Sequence, residues 1–167
     1  MLKPTRILGI DPGYERVGIA VIENAKPEVL VYSDCIRTDA GTPISERLNT
    51  IGSAVANAIR DTKPSELAIE TLLFNTNQKT ALLVAAARGV IMYEAARHGL
   101  HVAEYTPLQV KAALTGYGRA DKNQVAYMIS KIIALPKKKR LDDEYDAIAI
   151  ALTHSATFRV AVIHRTS

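Results

Sequence analysis

The order in which two hydrophobic periods follow one another restricts this chain more than any other feature. Three strand-like runs come first, ILGID (7–11), VGIAVIE (17–23) and VLVYSDCI (29–36). Pro12-Gly13 closes the first run, and a short 24–28 segment carrying Pro27 separates the second from the third. So little chain between strands predicts an antiparallel meander. The period then changes: Leu48, Ile51, Val55 and Ile59 recur at helical spacing within 44–60, and Pro64 stops them. ELAIE (66–70) reads as a short buried strand, 80–98 as an Ala-rich helix with Gly99 as its C-cap, and HVAEY (101–105) as a fifth strand. Pro107 opens a helix that stops near Gly116 and Gly118; another runs from Lys122 to Leu135, and the last from Asp142 to about Phe158. A βββαβαβ order followed by helices predicts an α/β fold. Its five-stranded mixed sheet, a three-stranded antiparallel meander plus two parallel strands, would carry helices on both faces. No repeat or long linker divides the chain, so residues 1–158 are expected to form a single domain and 159–167 a C-terminal tail.

Apolar residues make up 48% of the chain, enough for a packed core and too many for a disordered segment. No apolar run approaches the roughly 18 residues needed to cross a bilayer. The opening MLKPTRILGIDPG lacks the apolar stretch of about 7–15 residues that a secretory signal requires. Cys35 is the only cysteine, which excludes an internal disulfide and a Cys-based zinc cluster and predicts a small buried hydrophobe. A cytoplasmic protein with no membrane partner is expected. The charge balance, 21 Lys+Arg against 17 Asp+Glu, leaves a net +4. By itself that is a weak pointer to nucleic acid. It carries more weight if several acids are gathered at a metal site, because the remaining surface is then more basic than the net figure.

The acids are placed to do that. Asp11 ends the first strand, Glu70 ends the fourth, and Asp142, Asp143 and Asp146 begin the last helix. Asp143 and Asp146 are three apart and share a helix face; Asp142 and Asp146 are four apart and share one too. Converging carboxylates repel one another and are costly to desolvate, a cost that divalent cations remove. Mg²⁺ takes hard oxygen ligands and keeps waters and phosphates as partners. Two such ions can activate water and stabilise the leaving oxygen of a phosphodiester. Each residue also has a plainer reading. Asp11-Pro12-Gly13 is a common turn, Glu70 is a strand-end acid, and the acidic run at 142–146 favours a helix N-terminus. His154 reads as structural, and KKKR (137–140) as a solvated loop with phosphate attraction as the second reading.

The element order is that of the ribonuclease H-like fold, and a more specific resemblance follows from motifs. ILGIDPG (7–13), CIRT (35–38), ERLNTI (46–51), AIETLLFNTN (68–77), AARG (86–89), TPLQVKAALTGYGRADKNQV (106–125) and DEYDAIAIALTH (143–154) resemble, in order and spacing, the blocks of the RuvC family of Holliday junction resolvases. The resemblance implies a Mg²⁺-dependent endonuclease acting in DNA recombination and repair. It implies two ions per site, with Mn²⁺ as a substitute, and a homodimer that cuts two symmetric strands of a four-way DNA junction. A RuvA/RuvB-type branch-migration complex is a further candidate partner. Carried over by position, the catalytic and metal-binding acids fall on Asp11, Glu70, Asp143 and Asp146, which chooses Asp143 over Asp142. Lys111 and Lys122 fall on the family's two basic residues near the site. Arg119 is a further phosphate candidate, and Phe74 a base-stacking one.

Two departures stand out. Leu73-Phe74 replaces a pair of Phe residues, so one stacking aromatic is missing. GYERVGIAVIE (13–23) replaces a segment in which the family often carries Thr and GYG, and it resembles the related YqgF family instead. A YqgF-like nuclease acting on RNA or another branched nucleic acid is the nearest alternative, but it does not account for the lysine-bearing block or for AARG. A DNA-binding module without catalysis gains nothing from acids facing phosphates. An actin-like ATPase needs phosphate loops on two halves, and this chain has the length of one.

Overall fold

The computed structural model describes residues 4–72 and 78–165, with side chains over 4–72 and 80–157. Three strands open the chain: β1 (Arg6–Asp11), β2 (Arg16–Glu23) and β3 (Glu28–Arg37). Then come α1 (Ile44–Thr62), β4 (Glu66–Glu70), α2 (Gln78–Arg97) and β5 (His101–Tyr105). The chain continues through α3 (Pro107–Thr115), α4 (Lys122–Ile132), β6 (Ile133–Ala134) and α5 (Asp142–Arg165). The sheet order is β5-β4-β1-β2-β3-β6. β1, β2 and β3 form the expected antiparallel meander, and β4 and β5 add on in parallel beside β1.

Three details correct the sequence reading. The sheet has six strands, because Ile133 and Ala134 pair in parallel with Glu28 and Val29. These two residues belong to β6, not to the end of the helix expected to reach Leu135; two residues carry no period by which a strand could be recognised. The last helix also continues to Arg165, past the expected end near Phe158. Cys35 is half-buried and not enclosed, because most of β3 lies open to solvent.

Period-two alternation sorts each strand between two cores. Leu8 and Ile10 of β1, Val17, Ile19 and Val21 of β2, and Leu67 and Ile69 of β4 pack beneath α1 and α2. Ile7, Ala20, Ile22 and Ala68 pack on the opposite face with α3, α4 and α5. By the same parity Asp11 of β1 and Glu70 of β4 point to the α5 side. The residues beneath α5 are small. A Cβ on Gly9 would stand 2.3 Å from the Ala147 carbonyl oxygen, and one on Gly18 would stand 1.8 Å from that of Asp143. Neither position tolerates a side chain while α5 stays where it is. The two glycines therefore set how closely the N-terminal half of α5 lies on β1 and β2.

Local signals explain the α3 and α4 boundaries. Thr106 and Asp121 each form a capping box, with Gln109 and Gln124 respectively, and Pro107 fills the first turn of α3. Gly116 ends α3 with φ 73°. The short α3–α4 connection brings Lys111 and Lys122 to one end of the sheet.

Candidate active site

The β1–β4 register places two of the acids side by side. Ile7 pairs with Glu66, Gly9 with Ala68 and Ile10 with Ile69, so Asp11 and Glu70 come next on adjacent parallel strands, ~4.8 Å apart in the sheet direction. Asp11 also pairs with Gly18 on its other side. Since Gly18 lies directly beneath the Asp143 carbonyl, the first turn of α5 is brought over the Asp11 end of the sheet. Asp146, one turn on, faces Glu70 and Asp11. Asp11, Glu70 and Asp146 line an open cleft of about 500 Å³ with Lys111, Lys122, Asn123, Asp142 and Tyr145.

The acids act on one another. Burial, then Asp146, Glu70 and Asp143, push the Asp11 carboxyl from 3.8 up to about 7, and Lys122 opposes the shift. Burial and Asp146 raise Glu70, opposed by Lys111. Burial raises Asp146, with Asp143 and Asp142 adding to it and Lys122 and Lys111 opposing. All four acids and both lysines named from the sequence therefore share one electrostatic site.

Asp143 and Asp142 differ in setting. Asp142 is 81% exposed at the cleft rim, 3.6 Å from the Lys122 ammonium. Asp143 does not line the cleft; it stands behind it against β2, its side chain 19% exposed. Its Oδ2 is buried without a hydrogen bond and lies 3.5 Å from Arg16 Nε. Among the described residues no three His, Cys, Asp or Glu side chains stand close enough together, as placed, to hold an ion between them. The donor chemistry still fits a hard divalent cation that keeps waters and takes phosphate oxygens. The ligands are hard oxygens, one carboxylate oxygen is buried without a hydrogen bond, and Asp11 resists ionising without added positive charge.

The other expected residues fall as follows. Lys111 and Lys122 wall the cleft. Arg119 is exposed in the α3–α4 loop and does not line it. Phe74 and Leu73 lie outside the described residues. His154 is buried, its Nδ1 2.8 Å from the Tyr105 hydroxyl and its Nε2 3.5 Å from Glu66, at the opposite end of β4 from Glu70. KKKR is a solvated loop over Lys137, Lys138 and Lys139, as expected, but the Arg140 side chain is buried. Lys138 binds Glu144 at 2.8 Å and the Ser33 carbonyl at 2.9 Å, and the buried Arg140 stands 3.4 Å from the same Glu144 carboxylate. Glu144, itself buried, also accepts from Ser33 at 2.6 Å. This cluster ties the start of α5 to β3; Arg140 and Glu144 are only four positions apart, but their contacts with Ser33 of β3 span more than 100 positions and show in no local pattern.

Sequence reasoning gave no role to Arg88. From α2 its Nε donates to the Glu70 carbonyl at 3.3 Å, and its guanidinium also binds Glu104. It fixes the backbone that presents Glu70. The AARG block contained it, but nothing local linked that block to the strand end.

A family model described as crossover junction endodeoxyribonuclease RuvC matches residues 7–154. The chain belongs to the RuvC family. RuvC of Moorella thermoacetica is 49% identical over 152 residues, covering 90% of each chain. RuvC of Alkaliphilus oremlandii is 46% identical over 153 residues, covering 90% of this chain and 93% of the relative. The structure of Thermus thermophilus RuvC in complex with a Holliday junction substrate superposes with a TM-score of 0.88 at 33% identity, covering 94% of this chain and 96% of that one. The yeast mitochondrial Holliday junction resolvase, 12% identical with a TM-score of 0.68 over 96% of this chain and 81% of its own, shares the fold. The architecture is thus ribonuclease H-like, with one strand more than expected, and the YqgF alternative gives way to RuvC. Membership makes the chain a nuclease of the crossover junction endodeoxyribonuclease class.

Proposed function

We propose that this chain resolves Holliday junctions by metal-dependent phosphodiester hydrolysis at Asp11, Glu70, Asp143 and Asp146. The observation that carries this reading is that Asp11 and Glu70 follow the last paired residues of adjacent strands and, with Asp146, line a cleft walled by Lys111 and Lys122. Mg²⁺ is the proposed ion, two per site, with Mn²⁺ able to substitute; when bound, such ions supply an activated water and stabilise the leaving oxygen. The carboxylates position the water and the scissile phosphate. Lys111 and Lys122 neutralise neighbouring phosphates, and the exposed Arg119 extends that surface along the DNA. The test is cutting of a labelled four-way junction beside a matched linear duplex. Paired, symmetric nicks in the junction alone, abolished by chelator, are expected; equal cutting of duplex, or cutting with chelator present, contradicts the reading.

The Asp11 carboxyl gives a pH prediction. In the metal-free protein, folded Asp11 keeps its proton up to about 7, whereas its ordinary value is 3.8. Between those values the folded state binds more protons, so the contribution of Asp11 to stability falls as pH rises. A cation must also displace that proton, so metal affinity rises through the same window. Melting without metal from pH 4 to 8 should show a decline that Asp11→Asn reduces and saturating Mg²⁺ removes. Identical pH profiles for wild type and Asp11→Asn would show that Asp11 is not held protonated.

Two symmetric cuts call for two sites related by a two-fold axis, and a homodimer built on α2 is the proposed form. Its exposed residues Leu82, Ala86, Gly89, Tyr93 and Ala96 recur at four-three spacing, the seam of a helix pair. Ala87 and Ala95 of the same Ala-rich helix face the other way and belong to the chain's own core. A Cβ on Gly89 would meet nothing of its own chain within 4 Å, which leaves room for a partner helix. Leu82→Glu with Tyr93→Glu should convert a micromolar dimer to monomer in light scattering. A wild type that stays monomeric even with junction DNA contradicts the dimer.

Phe74 is proposed to stack on an unpaired base at the crossover. Stacking worth roughly 1–3 kcal/mol predicts that Phe74→Ala slows cutting by one to two decades while junction binding in Ca²⁺ changes much less. An unchanged rate would remove Phe74 from the mechanism. A RuvA/RuvB-type complex delivering junctions is proposed on family grounds, as is a cytoplasmic site of action. No helix among the described residues is long and apolar enough to cross a membrane.

A further inference from the structure

Arg16 stands where the sequence departs from the family pattern, at the first position of β2. It pairs directly with Arg37 of β3, two positions before Gly18 pairs with Cys35. Gly18, Ala20 and Ile22 face α5, so by parity Arg16 and Arg37 point to that side as well. Like charges directly opposite on neighbouring strands disfavour the sheet unless an anion lies between or beside them. Asp143 supplies one: its otherwise unmatched Oδ2 is 3.5 Å from Arg16 Nε. The thiol of Cys35 between them registers all three groups, raised by burial and Asp143 and lowered by Arg37 and Arg16. Arg16 is 57% exposed and reaches Asp143 from the solvent side, whereas Asp11, Glu70 and Asp146 meet inside the cleft.

We propose that Arg16 is an exchangeable counter-ion for Asp143, holding this carboxylate against β2 in the metal-free protein and passing to a backbone phosphate of the DNA when a divalent cation takes Asp143. The exchange keeps an anion beside the Arg16–Arg37 pair in both states. It also couples loading of the site to arrival of substrate, because Arg16 competes with metal only while no phosphate is within its reach. The proposal rests on the reading of Asp143 as a metal ligand.

The test measures Mn²⁺ affinity by the paramagnetic resonance of free ion in the DNA-free protein, for wild type, Arg16→Gln, Arg16→Lys, Asp143→Asn and Asp143→Asn with Arg16→Gln. Arg16→Gln should bind Mn²⁺ about two- to fivefold tighter, the range set by a partly exposed ion pair. Arg16→Lys should behave as wild type, and Arg16→Gln should have no effect in the Asp143→Asn background. With junction DNA in Ca²⁺, Arg16→Gln should bind more weakly, and the slope of log affinity against log salt should fall by about 1, since one phosphate fewer is neutralised. Mn²⁺ affinity unchanged or weakened in Arg16→Gln, or an unchanged salt slope, overturns the exchange. If Asp143→Asn weakens Mn²⁺ binding while Arg16→Gln does not strengthen it, only the role of Arg16 falls. If Asp143→Asn binds Mn²⁺ as wild type does, the reading of Asp143 as a ligand falls, and the exchange with it.

Discussion

Asp11→Asn, Glu70→Gln, Asp143→Asn and Asp146→Asn are each expected to lower junction cutting by at least about a thousandfold while leaving fold and junction binding in place. The size follows from the charge stabilisation a bound metal supplies in phosphoryl transfer, several kcal/mol, at roughly 1.4 kcal/mol per decade of rate. Amide replacement keeps the shape of each side chain. It also removes a carboxylate from a cluster in which burial and the neighbouring acids raise Asp11, Glu70 and Asp146. Metal-free thermal stability should therefore be preserved or raised in Asp11→Asn, Glu70→Gln and Asp146→Asn, a result opposite to that of breaking a structural ion pair, whereas Asp143→Asn also loses the contact with Arg16. Asp142→Asn is the internal control: its side chain is largely exposed and paired with Lys122, and cutting should stay within a few-fold of wild type. Cleavage assays with parallel gel shifts in Ca²⁺ read both quantities. Normal cutting by Asp143→Asn together with loss in Asp142→Asn would move the fourth ligand by one residue.

Gly18→Ala should also cost about a hundredfold in cutting, without touching any acid. Its Cβ would stand 1.8 Å from the Asp143 carbonyl oxygen, backbone against which no side-chain rotation can give way. The first turn of α5 must lift. A displacement of about 1 Å at a reacting centre is worth about two decades in rate. Overpacking of this kind typically costs about 1–3 kcal/mol of stability, so the variant should still fold. Gly9→Ala presses on Ala147 and Ala151 one to two turns further along α5 and should be more destabilising than inactivating. A Gly18→Ala protein that cuts at the wild-type rate would show that the seating of Asp143 over β2 does not matter to the chemistry.

These glycines mark where the sequence stopped being readable. Alternation in β1, β2 and β4 put Asp11 and Glu70 at strand ends on the side of the last helix, so the neighbourhood of the acids followed from period and topology alone. The choice between Asp142 and Asp143 did not, because both share a helix face with Asp146; it came from motif resemblance. What separates them physically is tertiary: Gly18 draws the backbone of Asp143 onto the sheet, and Lys122 reaches Asp142 from another helix. Arg88 reaching the Glu70 carbonyl joins α2 to β4, and Lys138 and Glu144 reaching Ser33 join the start of α5 to β3. Within the exposed KKKR run, the anchoring by Lys138 and the buried Arg140 side chain therefore shows only once β3 is in place. β6 escaped notice for a simpler reason: two residues at the end of a helical pattern cannot show a period of their own.

The claim that the acids form a metal centre is tested most directly by crystals soaked in Mn²⁺ at a concentration that supports junction cutting, with anomalous scattering used to locate the ions. Anomalous density between Asp11, Glu70 and Asp146, with Asp143 turned toward it and away from Arg16, is the predicted result. Density confined to other parts of the surface, or none in the cleft under conditions where the same protein cuts junctions, would contradict the account.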